Sequence, residues 1–204
     1  MPPSWRSDRY AGAMAMLFPE AADLPEGFVY YEEIISPAEE TALLDGVQAL
    51  AFGEVRMRGQ VARRRTIHFG WTYGYESWRV EPGPPLPDFL LGLRARVAPL
   101  AAVDAETLVE VLVTHYPPGA GIGWHRDAPA FGVVIGVSLL GTCRFRFQHG
   151  RGASRRTRTA TLAPRSAYIL DGAARWQWQH AIPPGRVERY SITFRTLRRS
   201  DRAP

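Results

Sequence analysis

The 204-residue chain contains no lysine and no asparagine. All 25 of its basic residues are therefore arginine. Every contact to a phosphate or carboxylate must come from a planar, forked guanidinium rather than an ammonium point charge. An arginine-only complement is also what a GC-rich genome produces, so the absence alone names no partner. Cysteine is nearly absent too. The single Cys143 excludes an intramolecular disulfide and fits a reducing cytoplasm. No apolar run approaches the ~18 residues of a membrane helix, so no membrane partner is expected. The short Tyr10–Phe18 stretch is followed at once by Pro19 and Glu20, which reads as a loose lead-in rather than a signal peptide. No internal repeat is visible.

A hydrophobic share of 46% over this length supports one domain with a substantial core, and a monomer is expected. Residues 1–26 read as a poorly structured N-terminal arm and 27–204 as a single domain. Phe28–Ile35 reads as a strand. Ser36-Pro37-Ala38-Glu39 is a capping box with proline at the first helical position, predicting a helix to about Leu50. Arg56–Arg65 reads as a loop or ragged strand, and Thr66–Tyr75 as extended. The proline-rich Glu81–Pro87 reads as a linker. Phe89–Leu100 repeats Leu90, Leu93 and Val97 near helical spacing. From Thr107 the pattern changes to short strands separated by Gly and Pro turns: Leu108–Tyr116, Gly123–Asp127, Val133–Leu140, Arg144–Gln148, Arg156–Leu162, Ala167–Leu170, Trp176–His180 and Tyr190–Arg195. Helices followed by about eight short strands predict an α+β, mainly β fold: a jelly roll supported by N-terminal helices.

Two segments carry chemistry. His125-Arg126-Asp127 places a His and an Asp two residues apart, which on an extended strand point the same way. With the distant His180, two imidazoles and a carboxylate can fill one face of an Fe(II) octahedron and leave positions open. The second segment, Arg189–Arg195, alternates polar and apolar residues. It reads as a strand with Arg189, Ser191, Thr193 and Arg195 on one face. That face either meets water or lines a cavity beside His180. In the second case the buried arginines need an anion, and a dicarboxylate such as 2-oxoglutarate supplies one.

The Arg189–Arg195 segment resembles the C-terminal R-x-N-x-T-F-R strand of the AlkB family of Fe(II)/2-oxoglutarate dioxygenases. Thr114-His115-Tyr116-Pro117-Pro118-Gly119-Ala120 is similar to that family's N-x-Y-x-P-G-A, with the H-x-D motif following at the family's spacing. Asp171-Gly172 through Trp178-Gln179-His180 is similar to the strand that delivers the second His. His68-Phe69-Gly70-Trp71-Thr72 resembles an H-L-G-W-T segment of the substrate lid. The resemblance spans about residues 65–197. It implies a double-stranded β-helix, with helices and lid in 27–106 and the jelly-roll core in 107–197.

The resemblance also implies Fe(II) on His125, Asp127 and His180, with 2-oxoglutarate as cosubstrate and O₂ as oxidant. It places Arg189 on the distal carboxylate of 2-oxoglutarate, Arg195 beside the chelating end and Asp127, and the Tyr116 hydroxyl on the cosubstrate. Thr114 and Ser191 stand where many members carry asparagine. Both still hydrogen-bond, with shorter reach and one donor instead of two, which predicts weaker cosubstrate affinity. His68, His115 and His149 are read as non-ligands, with His115 pointing away from Thr114 and Tyr116.

The implied reaction converts 2-oxoglutarate to succinate and CO₂ while an alkyl carbon is hydroxylated. When that carbon is attached to nitrogen, it leaves as an aldehyde. For substrate, Trp71, Tyr73 and Tyr75 either pack the sheet or stack on a flipped or single-stranded DNA or RNA base. Arg56, Arg58 and Arg63 to Arg65 form one basic cluster, and Arg151, Arg155, Arg156 and Arg158 a second. They are either a solvated surface or a track for a phosphate backbone. The segment Ala128-Pro129-Ala130-Phe131 offers no acidic base reader. Oxidative dealkylation of nucleic-acid bases is therefore the leading expectation. A protein or small-molecule oxygenase and a non-catalytic basic nucleic-acid-binding module are the alternatives.

Overall fold

The computed structural model describes residues 23–57, 59–74 and 79–198. Most of the expected N-terminal arm, together with Arg58 and Tyr75, lies outside them. The last residues of that arm are packed: Arg158 pairs with the Asp23 carboxylate at 2.7 Å, and Leu24 rests on the core.

Two antiparallel sheets face each other. The larger is built from β1 (Phe28–Tyr31), β10 (Ser166–Leu170), β7 (Phe131–Leu139), β12 (Arg189–Leu197), β5 (Leu108–Tyr116), β3 (Gln60–Gly74) and β2 (Gly53–Met57), in that spatial order. β4 (Arg79–Pro82) pairs with the far half of β3. The smaller sheet runs β6 (Ile122–His125), β11 (Gln179–Ile182), β8 (Cys143–His149), β9 (Arg156–Leu162). This is the expected mainly β jelly roll with helical support.

The helices α1 (Pro37–Gln48) and α2 (Asp88–Val97) bury Leu43, Val47, Leu90, Leu93 and Val97 against the outer face of the larger sheet. That face carries the odd residues of β5, Val111 and Val113, and the apolar residues of β12, Ile192 and Phe194. The capping box is formed: Ser36 Oγ accepts from the Glu39 amide, and Glu39 accepts from the Ser36 amide at 2.8 Å. With one face of β5 and β12 sealed by helices, strand alternation sends Thr114, Tyr116, Arg189, Ser191, Thr193 and Arg195 into the space between the sheets. There they meet a second apolar cluster around Phe145, Phe147, Leu162 and Leu170.

Four expected elements are refined. Phe28–Ile35 is not one strand: β1 stops at Tyr31, and Glu33 adopts φ 49°, which turns the chain out of the sheet. Arg56–Arg65, expected as a loop or ragged strand, belongs to a strand hairpin, with Arg56 opposite Val61 and a register irregularity between Glu54 and Arg56. The expected linker begins later, because Glu81 and Pro82 complete β4. Trp176–His180 is strand only at its end, where Gln179 and His180 open β11. A one-turn helix, α3 (Gly172–Trp176), precedes β11, and Asp171 caps it by accepting from the Gly172 amide at 2.8 Å. The aromatic alternation there is a local pattern that contacts from a distant loop override.

Candidate active site

His125 is the last residue of β6, and His180 lies opposite it in the register of β11. Asp127 falls two residues beyond the end of β6, so the strand aims His125 while the following loop aims the carboxylate. The two imidazole centroids are 4.3 Å apart, and His180 Nε2 lies 3.6 Å from Asp127 Oδ2. Potential ligand atoms of all three residues lie within 4.8 Å of one another, the one such group among the described residues. His125 Nδ1 donates to the Gly123 carbonyl at 2.9 Å. Because a carbonyl only accepts, the proton of the neutral ring sits on Nδ1, and Nε2 offers a lone pair.

Electrostatics favours ligation. Burial pushes His180 down to about 3 and also lowers His125, so both rings are neutral near pH 7. Burial alone would raise Asp127, but Arg195 and then the two histidines outweigh it and hold the carboxyl ionised. Two neutral imidazoles and one carboxylate are the donor set that suits Fe(II) with open positions.

Behind Asp127 runs a buried relay. Arg195 Nη2 donates to Asp127 Oδ1 at 2.7 Å, and Arg195 Nη1 donates to Glu110 Oε2 at 2.5 Å. Arg195 and Glu110 are cross-strand neighbours on β12 and β5. Glu110 is 1% exposed, and its other oxygen meets His68 Nδ1 at 3.1 Å. With Oδ1 engaged by Arg195, Oδ2 is the Asp127 oxygen turned toward His180. His68 is thus tied to the site through Glu110 rather than as a ligand. His115 lies on the opposite face, stacked on Tyr190 at 4.6 Å and bonded to Glu188.

At the other end of β12 lies a buried polar row. Arg189 is 2% exposed, and its Nε donates to Ser138 Oγ at 2.9 Å. Its Nη1 and Nη2 are buried with no hydrogen-bond partner. An uncompensated buried guanidinium costs several kcal/mol, roughly, unless an anion meets it. The fork suits a carboxylate held bidentately. Beside it, Ser138, Ser191, Thr114 and Thr66 form one register row across β7, β12, β5 and β3. Tyr116 lies opposite Arg189 with its ring 5.2 Å from the guanidinium, and burial pushes its hydroxyl up so that it stays a donor. The buried fork and the hydroxyl row therefore suit a dicarboxylate such as 2-oxoglutarate.

Several participants carry no sequence motif of their own. Ser138 and Glu110 belong to apolar strands, and only register reveals that they face the site. Tyr168 lies flat on Gly136, where a Cβ would come within 2.3 Å of its ring. Arg175 is 2% exposed and donates to the carbonyls of Asp127, Ala128, Phe131 and Gly132. It meets backbone oxygens instead of a carboxylate and so fixes the loop that carries Asp127. A lone arginine in a helical turn gives no signal of this.

The substrate-binding expectation is met less fully. Trp71 and Tyr73 lie on the far half of β3, opposite Pro82 and Val80 of β4. Trp71 is 38% exposed. Of the arginine clusters, Arg56 pairs with Glu54 and Arg158 with Asp23, so part of each is neutralised.

Residues 27–195 match the family described as the 2OG-Fe(II) oxygenase superfamily. The mouse protein tRNA (carboxymethyluridine(34)-5-O)-methyltransferase ALKBH8 is 31% identical over 173 residues, covering 81% of this chain and 25% of its own length. The Arabidopsis thaliana protein named alkylated DNA repair protein ALKBH8 homolog is 26% identical over 200 residues, 86% of this chain and 56% of its own. The zebrafish (Danio rerio) probable RNA/DNA demethylase ALKBH6 is 29% identical over 120 residues, 59% of this chain and 49% of its own. The chain thus spans about a quarter to a half of the length of these relatives. The solved structure of OsALKBH1 superposes with a TM-score of 0.65 at 14% identity, covering 85% of this chain and 98% of that one, a likeness of fold.

Proposed function

The chain belongs to the 2OG-Fe(II) oxygenase superfamily as an AlkB homologue, and from this premise we propose that it removes alkyl groups oxidatively from nucleic-acid bases. The oxygenase part rests on one observation above the rest: the two unpartnered, buried nitrogens of Arg189 lie on the same inward face of β12 as Arg195, which holds Asp127 of the His125–Asp127–His180 group. The nucleic-acid part is supported by the relatives named for work on tRNA, DNA and RNA and by the net charge of +5.

When bound, Fe(II) with 2-oxoglutarate and O₂ supplies the oxidation of a C–H bond and releases succinate and CO₂. The chain's own residues supply position and charge. His125 Nε2, Asp127 Oδ2 and His180 Nε2 hold the metal. Arg189 binds the distal carboxylate of 2-oxoglutarate, while Tyr116, Thr114 and Ser191 donate hydroxyl hydrogen bonds along its length. Arg195 keeps Asp127 ionised and oriented. The apolar wall of Phe145 and Phe147 excludes water, and Phe145 stacks on His180 at 5.2 Å. Trp71 and Tyr73 stack on the target base.

The test is 2-oxoglutarate turnover against alkylated single- and double-stranded DNA and RNA oligomers, with product masses read directly. Succinate formation coupled to loss of an alkyl group is expected, and His125→Ala abolishes it. Iron-dependent turnover retained in that variant would sink the assignment. The apolar loop Ala128–Phe131, pinned by Arg175, favours a second reading in which the oxygenase acts on a protein or small molecule. Absence of oligonucleotide binding at low salt would select it.

A further inference from the structure

We propose that a groove on the outer side of β6 holds one nucleotide of a single-stranded nucleic acid, next to the nucleotide whose base enters the metal cavity. The proposal rests on the nucleic-acid reading above and adds the route that the strand takes. The groove is an open cavity of about 390 Å³ between the β2–β3 hairpin and the edge of the smaller sheet. That is within the size range of small-ligand sites. Arg63, Gly121, Gly123, Trp124, Arg146 and Pro184 are among the residues that line it.

Three features fit a nucleotide. Trp124 is 36% exposed, with the Arg146 guanidinium 5.3 Å from its ring centroid. An indole beside a guanidinium is a stacking surface for any base. Arg63 lies against the Gly119 turn, where φ is +82° and its Nη1 is 2.7 Å from the place a Cβ would occupy. Among the described residues, neither Arg63 nor Arg146 has a carboxylate partner, unlike Arg56, Arg96, Arg158 and Arg165. Two uncompensated guanidiniums flanking an aromatic face match a phosphodiester and its base. An acidic peptide would satisfy the charges but leave the indole without a flat partner.

Position ties the groove to the site. Trp124 immediately precedes His125, so on β6 their side chains take opposite faces, one outward and one toward the metal ligands. β6 is an edge strand, with β11 on one side only. A strand of nucleic acid can therefore cross that edge, leaving one base inside and its neighbour on Trp124.

The experiment measures binding of unmodified single-stranded DNA and RNA oligomers by fluorescence anisotropy, over a salt series, with Mn(II) and 2-oxoglutarate present. Trp124→Ala is expected to weaken binding about fivefold to a hundredfold, and Trp124→Tyr to restore most of it. Arg63→Ala and Arg146→Ala each lower affinity and reduce the salt slope by about one. Arg56→Ala, the same charge change at an ion-paired arginine of the same hairpin, serves as the reference. Wild-type affinity in Trp124→Ala, or arginine variants no weaker than Arg56→Ala, overturns the groove while wild-type binding leaves the nucleic-acid reading standing. No binding by the wild type at low salt removes both. Loss of polyglutamate binding in these variants, with oligomer binding intact, assigns the groove to a protein partner and overturns the proposal.

Discussion

At the residue scale, the site depends on side chains whose charge is compensated only in part. Arg189 is the clearest case, because its Nε is bonded and its two terminal nitrogens are not. Replacing it with Met of similar length removes an unpaired buried charge. We expect Arg189→Met to unfold at or above the wild-type temperature when 2-oxoglutarate is absent. The same variant should bind 2-oxoglutarate at least about thirtyfold more weakly, the loss of roughly 2 kcal/mol in charge-assisted hydrogen bonds. Calorimetric melting and titration check the two halves, and weakened stability together with unchanged affinity would contradict them. Glu110 acts at one remove, through Arg195 on Asp127. Glu110→Gln keeps the shape and removes the charge. It is expected to lower Mn(II) affinity about tenfold with little change in the folded spectrum, as loss of an outer partner of a metal ligand does.

At the element scale, β12 organises the centre and α3 fixes its rim. The alternation of Arg189–Arg195 was legible in the sequence, but not which face met water. That was decided by α1 and α2, which cover Ile192 and Phe194 and so turn the polar face inward. The start of Trp176–His180 misled because Trp-Gln-Trp-Gln-His alternates as a strand does, whereas Gln179 and His180 do open β11. The turn forms instead because Asp171 caps it and Arg175 reaches carbonyls of the Asp127–Gly132 loop, contacts more than forty residues away in the chain. A lysine cannot span several acceptors with a planar fork. Arg175→Lys is therefore expected to destabilise the protein by about 2–3 kcal/mol, since buried carbonyls lose their donors. It should also weaken Mn(II) binding through the displaced Asp127. Denaturant unfolding and metal titration of this variant measure both effects.

At the scale of the whole molecule, the two sheets bury titratable groups together, and stability becomes pH-dependent. Folded His180 titrates near 3, below its ordinary 6.5, so the unfolded chain binds more protons across that window. Stability of the metal-free protein is full above about pH 6.5 and is lost as pH falls toward 3, and Asp127, also held low, adds the same sign at the acid end. Thermal melts of metal-free protein between pH 7 and pH 4 should show this slope, and His180→Gln should flatten it. Mn(II) at a hundred times its dissociation constant should stabilise the wild type by about 2.7 kcal/mol and leave His125→Ala unchanged. No helix among the described residues is long and apolar enough to cross a membrane.

The sequence by itself determined the inventory. It set the arginine-only charge, the capping box at Ser36, the short-strand pattern after Thr107, and the His125, Asp127, His180, Arg189 and Arg195 residues. These are local signals, carried by spacing, alternation and caps. Tertiary structure alone decided how those residues are wired. Glu110 between Arg195 and His68, Ser138 on Arg189, Gly136 beneath Tyr168 and Arg175 under the Asp127 loop all join strands distant in sequence. Each depends on register, and register is fixed only when one sheet face has been sealed and the other has to satisfy its buried charges.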